Sequence, residues 1–245
     1  MRIVAAAVLA VTIAAPASAQ DRQWPERTWV SINGGIQSAG TAFDDAFEVP
    51  LYTESERVTV QYPVKGGGLF GAHAGYRIWK RLTIGAGVTR YSRRADAQVQ
   101  AQLPHPFFDN QFRAVEGTAS ALRGETAANV LIGWMQPVSD RVRVILTAGP
   151  SFINVEQTIV TAVEVAETYP YDTAAFTTAS TRREGRTGTG FNAGADVTWM
   201  FTRHLGAGGI VQITRARARL AAGNDRTITV DAGGVQAGAG IRFFF

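Results

Sequence analysis

The 245-residue chain has no cysteine. A disulfide framework, a thiolate metal site and a cysteine nucleophile are therefore excluded. Its three histidines are too few and too scattered for a zinc enzyme, which needs two or three at helical or hairpin spacing. Lysine is confined to Lys65 and Lys80, so nearly all the positive charge is arginine. Charged residues make up 18%, below the roughly 25% of an average soluble domain. The formal charge of +4 comes without any Lys/Arg run interleaved with aromatics, which argues against a nucleic-acid surface. There is no G-x-S-x-G and no phosphate-binding glycine loop before a helix, so the chain reads as not an enzyme, with no cofactor and no metal site. Beyond residue 19 no apolar run approaches the length of a membrane-spanning helix.

What is present begins with an export signal. Arg2 precedes an apolar run from Ile3 to Ala15, and Pro16-Ala17-Ser18-Ala19 supplies the small-residue pattern that signal peptidase reads. The sequence predicts cleavage after Ala19, a short segment over 20–27 and one folded unit over 28–245.

In that unit helical periodicity is scarce and alternation with period two is pervasive. Phe70, Ala72, Ala74, Tyr76 and Ile78 interleave with Gly71, His73, Gly75 and Arg77. After Trp79-Lys80-Arg81, Leu82, Ile84, Ala86 and Val88 resume the apolar face. Similar runs reach Trp134, start again at Val142, reach Phe201, start at Leu205 and end on Ile241, Phe243 and Phe245. Counting the run from Val30 to Ile36, the pattern predicts eight strands. Tight turns fall near Lys80, Ser139 and Arg203, while the links over 40–64, 95–118 and 161–186 read as long loops. Short turns on one side and long loops on the other belong to an up-and-down transmembrane barrel.

The apolar faces end at the turn side in Trp79, Trp134, Trp199, Phe201 and Phe243, as expected of rings at a membrane interface. The opposite faces carry glycine with scattered charge, unsuited to an apolar ligand cavity. On these features, and above all on the terminal Ile-Arg-Phe-Phe-Phe, the chain resembles the small eight-stranded outer-membrane barrels, the OmpA-like, OmpX-like and Opa-like barrel domains. Such a resemblance implies an all-β, eight-stranded antiparallel barrel in a bacterial outer membrane. It also implies that Ile241, Phe243 and Phe245 form the signal read by the barrel assembly machinery. The chain stops at the strand end, so the peptidoglycan-binding domain of OmpA is not expected.

Parity assigns the candidate sites. His73, Arg77, Arg123, Glu125, Arg143, Asp196 and Arg242 point inward. One reading is a salt-bridge network that plugs the lumen, because buried charges need partners. The other is a basic ring of Arg77, Arg143 and Arg242 in an anion-preferring passive channel, with free volume left by inward glycines. Arg90, Arg94, Arg215, Arg217 and Arg219 share the outward parity some ten residues above the turns. They are candidates for the phosphates of lipopolysaccharide, or else strand tips in solvent. Phe107, Phe108, Tyr169 and Tyr171 on the long links either pack the links together or meet a partner. Asp44, Asp45 and Asp109 offer loop carboxylates of the kind that bind calcium, but without EF-hand spacing. The sequence thus points to a structural or surface-interaction protein, with a small channel as the alternative.

Overall fold

A computed structural model describes residues 25–223 and 226–245. The proposed export signal and its cleavage site lie outside the described residues. Among the described residues no helix is long and apolar enough to cross a membrane. All regular structure is β: β1 (Thr28–Gln37), β2 (Phe43–Leu51), β3 (Glu54–Tyr62), β4 (Gly67–Trp79), β5 (Leu82–Pro104), β6 (Phe112–Pro137), β7 (Val142–Glu167), β8 (Ala174–Met200), β9 (Leu205–Gly223) and β10 (Arg226–Phe244).

The expectation of eight strands is corrected: the described chain forms ten, all in one antiparallel sheet. β1 pairs with β4 and β10, and the pairing continues from β4 through β5, β6, β7, β8 and β9 back to β10. β2 and β3 are the uncounted elements, a hairpin hung on the upper part of β5 through Arg57↔Gln102 to Gln61↔Gln98. Their alternation is masked because both faces carry acids: Asp44 and Glu48 point outward, Asp45 and Glu56 inward. The resemblance to an eight-stranded family therefore fails on strand number. The other two long links shrink as well, because β5 to β8 run far beyond the predicted loops and leave only residues 105–111 and 168–173 as connections.

The long strands β5, β6, β7, β9 and β10 reverse their polarity partway along. On β5 the outward residues Leu82, Ile84, Ala86 and Val88 give way to Arg90, Ser92, Arg94, Asp96 and Gln98. The inward residues change in the opposite sense, from Thr83, Gly85, Gly87 and Thr89 to Ala97, Val99, Ala101 and Leu103. β9 does the same between Ile213 and Arg215 outside, and between Thr214 and Ala216 inside. A strand in lipid turns its apolar side chains outward, whereas a strand in water turns them toward a core. The inversion therefore marks where the apolar band ends. Below it Ile32, Phe70, Ile84, Ile132, Leu146 and Val211 stand exposed on the outer face.

Above the inversion lies an ordinary apolar core. Phe47, Val58, Val60 and Tyr62 of the hairpin pack against Val99, Val115, Ile159, Leu220 and Val230. Docking is also polar: the Val160 N–H donates to the Tyr62 hydroxyl at 2.8 Å, and Arg226 donates to Asp45 at 2.6 Å while lying over the Phe47 ring. Burial pushes the Tyr62 phenol up to about 12. At the turn end a second cluster of Trp29, Leu131, Met135, Ile145, Met200 and Phe244 fills the interior.

Candidate functional site: the lumen, the rim and the tip

The period-two geometry that turns apolar side chains outward sends every second residue into the interior. His73, Arg123, Glu125, Arg143, Asp196 and Arg242 are all buried there, and Arg77 is half-buried at the end of β4. They do not form one cluster. At the turn end Arg242 donates to Asp196, with Nη2 to Oδ2 at 2.5 Å, and Thr198 also donates to that carboxylate at 2.8 Å. Arg143 pairs with Glu26 at 3.2 Å, and its guanidinium lies 4.1 Å from the Phe244 ring centre. A basic ring without acids is thereby ruled out for these two arginines. Sequence parity missed Glu26 because it precedes the first strand, where no alternation announces it.

Near the inversion Arg123 donates to Glu125 at 2.7 Å. The other oxygen of Glu125 accepts from Gln37 at 3.0 Å and from the Gly233 N–H at 2.9 Å. Gln236 extends the network by donating to Gln37 at 2.9 Å and to Thr214 at 3.2 Å. Between the two charged layers Asn192 donates to Ser151, and Ser151 donates to Asn129. His73 faces Asn33 at 3.4 Å. These amides were not singled out in the sequence, since a neutral polar residue on an inward face carries no signal of its own. The inward glycines do not open the lumen either. A Cβ on Gly87 would stand 2.2 Å from the His73 ring, and one on Gly75 would stand 2.6 Å from Trp29. The space they release is taken by a neighbour's ring. The cavity between His73, Gln212 and Gln236 holds about 10 Å³, room for about one water.

Arg90, Arg94, Arg215, Arg217 and Arg219 all point outward and are exposed, directly above the inversion on β5 and β9. Arg90 donates to Thr126 at 3.0 Å, and Arg217 lies 3.3 Å from Asp231. Beside them a groove of about 620 Å³ crosses β8, β9 and β10 on the outer face and is walled by residues 38–41.

At the far tip the connections between strands are tied together. Phe107 meets Tyr171 edge-on at 5.6 Å, Arg113 donates to the Tyr171 carbonyl at 2.9 Å, and the Asn110 N–H donates to Glu54 at 2.8 Å. Arg113 also pairs with Glu167 at 2.5 Å, and Tyr52 donates to the same carboxylate, which raises its phenol above the ordinary range. Glu56, on the buried face of the hairpin, is pushed upward first by burial and then by the negative charge of Glu167. Phe107, Phe108, Phe112 and Tyr169 nevertheless leave more than half their surface in solvent. Of the acidic loop residues, Asp45 is committed to Arg226. Among the described residues no group of three or more His, Asp or Glu side chains is placed to hold a metal ion.

Residues 4–243 match the family model described as the outer membrane protein beta-barrel domain. No curated protein matches the chain. Among solved structures, the outer membrane protein OprG from Pseudomonas aeruginosa aligns with a TM-score of 0.51 at 8% identity, covering 92% of this chain and 98% of its own. The outer membrane protease OmpT from Escherichia coli aligns with a TM-score of 0.47 at 9% identity, over 90% of this chain and 97% of its own. The Yersinia pestis attachment invasion locus protein Ail, solved with a heparin analogue, gives a TM-score of 0.32 at 12% identity, over 89% and 99%. The chain belongs to the outer membrane protein beta-barrel domain family, an integral protein of the Gram-negative outer membrane that crosses by strands.

Proposed function

We propose that this barrel is a cell-surface interaction protein whose working part is the extension of its strands above the outer membrane, and that it does not conduct. The observation that carries this reading is the engagement of the inward arginines: Arg242 with Asp196, Arg143 with Glu26 and Arg123 with Glu125. A channel needs a continuous wet path, and this interior has an ion-paired layer at each end of the apolar band with a hairpin docked above them. The alternative of an anion-preferring channel loses the unpaired charges on which it stood. Meanwhile the tip offers aromatic surface of the kind found at partner interfaces.

On this reading residues 1–19 direct export, and Ile241, Phe243 and Phe245 serve as the assembly signal. All three face outward on the last strand or at its end. Arg90, Arg94, Arg215, Arg217 and Arg219 contact lipopolysaccharide phosphates, a role supported by their exposure at the edge of the apolar band. Guanidinium at that height avoids the roughly 2–4 kcal/mol cost of a cation at mid-membrane.

Two measurements test the proposal. Planar-bilayer recording of the refolded chain is expected to be silent, and steady conductance steps would overturn the sealed lumen. Cells displaying the full chain are expected to be retained on beads coated with phenyl groups. A Phe107→Ala/Phe108→Ala/Tyr169→Ala variant is expected to lose that retention. Wild-type retention no greater than that of cells lacking the chain would refute the surface role.

A further inference from the structure

The outer-face groove is more than a gap between strands. Its lower margin is Phe191, Ile213 and Val235, the last apolar outward residues of β8, β9 and β10. Its upper margin is Arg215 and Arg217, which the register places beside Phe191 and Thr189. The floor is Gly233, which faces Arg215 across the β9–β10 pair with a φ of +86° and packs so closely on Thr214 that a Cβ would stand 2.3 Å from its carbonyl oxygen. One wall is built rather than draped: the Ser38 N–H donates to the Val235 carbonyl at 2.8 Å, and the Val235 N–H donates back to the Ser38 hydroxyl at 3.1 Å. The volume of about 620 Å³ falls within the roughly 300–1,000 Å³ of ligand sites.

We infer that this groove is a specific seat for one phosphorylated saccharolipid of the outer leaflet. The inference rests on the rim reading above and narrows it from five dispersed arginines to one site. Three chemistries meet in it, in the vertical order such a lipid presents them. Phe191, Ile213 and Val235 give an apolar bed for acyl chain. Arg215 makes no ion pair among the described residues and supplies a guanidinium for phosphate, where its planar fork binds two oxygens at once. Arg217, only loosely held by Asp231 at 3.3 Å, can share that anion. Ser38, Thr41 and Thr189 add hydroxyls at the same level, suited to a sugar headgroup. Arg90 and Arg94 sit on β5, outside the groove, and belong to the general rim.

The test is native mass spectrometry of the refolded chain after incubation with bis-phosphorylated lipid A, with phosphatidylglycerol, or with inorganic phosphate alone. Heat-modifiable migration serves as the control for folding. Wild type is expected to retain one lipid A per chain. Arg215→Ala is expected to lower the retained fraction at least tenfold, and so is Thr189→Trp, which fills the groove while keeping every arginine. Thr41→Trp fills it from the opposite wall and stands in if Thr189→Trp does not fold. Arg90→Ala/Arg94→Ala, at the general rim, is expected to lower the retained fraction far less than Arg215→Ala does. If wild type retains none, the rim reading itself fails. If wild type retains it but the groove variants do so equally, with loss only in Arg90→Ala/Arg94→Ala, the rim reading survives and the groove is overturned. Retention of phosphatidylglycerol equal to that of lipid A overturns the saccharolipid assignment, and displacement of bound lipid A by phosphate alone overturns the apolar bed.

Discussion

Arg242 on β10 reaches past β9 to Asp196 on β8 and closes on its carboxylate at 2.5 Å, both groups almost wholly withdrawn from solvent. Neither residue is on a strand adjacent to the other's, so the pair exists only because the sheet curls and brings their inward faces together. Leaving one partner of a buried pair alone costs about 3–5 kcal/mol, whereas replacing both by apolar groups is far less harmful. Asp196→Ala is expected to lower the unfolding free energy of the lipid-embedded protein, extrapolated from urea titration, by an amount in that range. Adding Arg242→Met is expected to restore most of it. A double variant no more stable than the single one would show that the pair is not coupled.

The hairpin that covers the interior is expected to respond to pH. The Glu56 carboxyl lies above its ordinary range because of burial, and Glu167 nearby adds to the shift, with Arg113 and Tyr52 facing the same carboxylate pair. A raised acid binds more protons folded than unfolded over the interval between its two pKa values, so stability falls as pH rises through that window. Asp45 is shifted in the same sense by burial, against the pull of Arg226. Amide exchange at Val58 and Val60, corrected for its intrinsic pH dependence, is expected to show stronger protection at pH 5 than at pH 7.5. Glu56→Gln is expected to flatten that difference, and protection that rises with pH would contradict the assignment.

Trp79, Trp134 and Trp199 stand on the outer face near the short turns, at least half exposed, while Trp29 is buried inside. In vesicles, lipids brominated close to the headgroup are expected to quench the first three more strongly than lipids brominated near the chain ends. A variant retaining only Trp29 is expected to be quenched weakly by both. Deep quenching of Trp134 or Trp199 would displace the apolar band from the position assigned to it.

Phe245 ties the end of β10 to the start of β1: its N–H donates to the Thr28 carbonyl, and its own carbonyl accepts from the N–H groups of Arg27 and Thr28. Those bonds use backbone only. Phe243→Ala/Phe245→Ala is therefore expected to refold from urea into detergent much as wild type does, yet to accumulate severalfold less in the outer membrane of cells. Equal loss in both assays would make the rings structural rather than an assembly signal.

Much of this molecule is legible residue by residue. Side chains of a strand alternate by geometry alone, so the outward face of Leu82 to Val88, the inward course of Arg143 and Arg242, the tight turns and the outward arginines all follow from local sequence. The same locality concealed β2 and β3. Their inward acids break the simple pattern, and their burial depends on Arg226, Tyr62 and Val160 meeting across distant stretches of chain. It concealed as well which charges neutralise each other. Arg143 and Glu26 lie 117 positions apart, and Arg242 finds Asp196 across an intervening strand. Which inward residues share a level depends on strand stagger and on the closing pairs β10–β1 and β5–β6, and these are properties of the assembled sheet. Sequence therefore determined what each strand shows to lipid and to the interior. Only the tertiary structure decided that the interior is filled and paired, and that the region above the membrane folds around a core of its own.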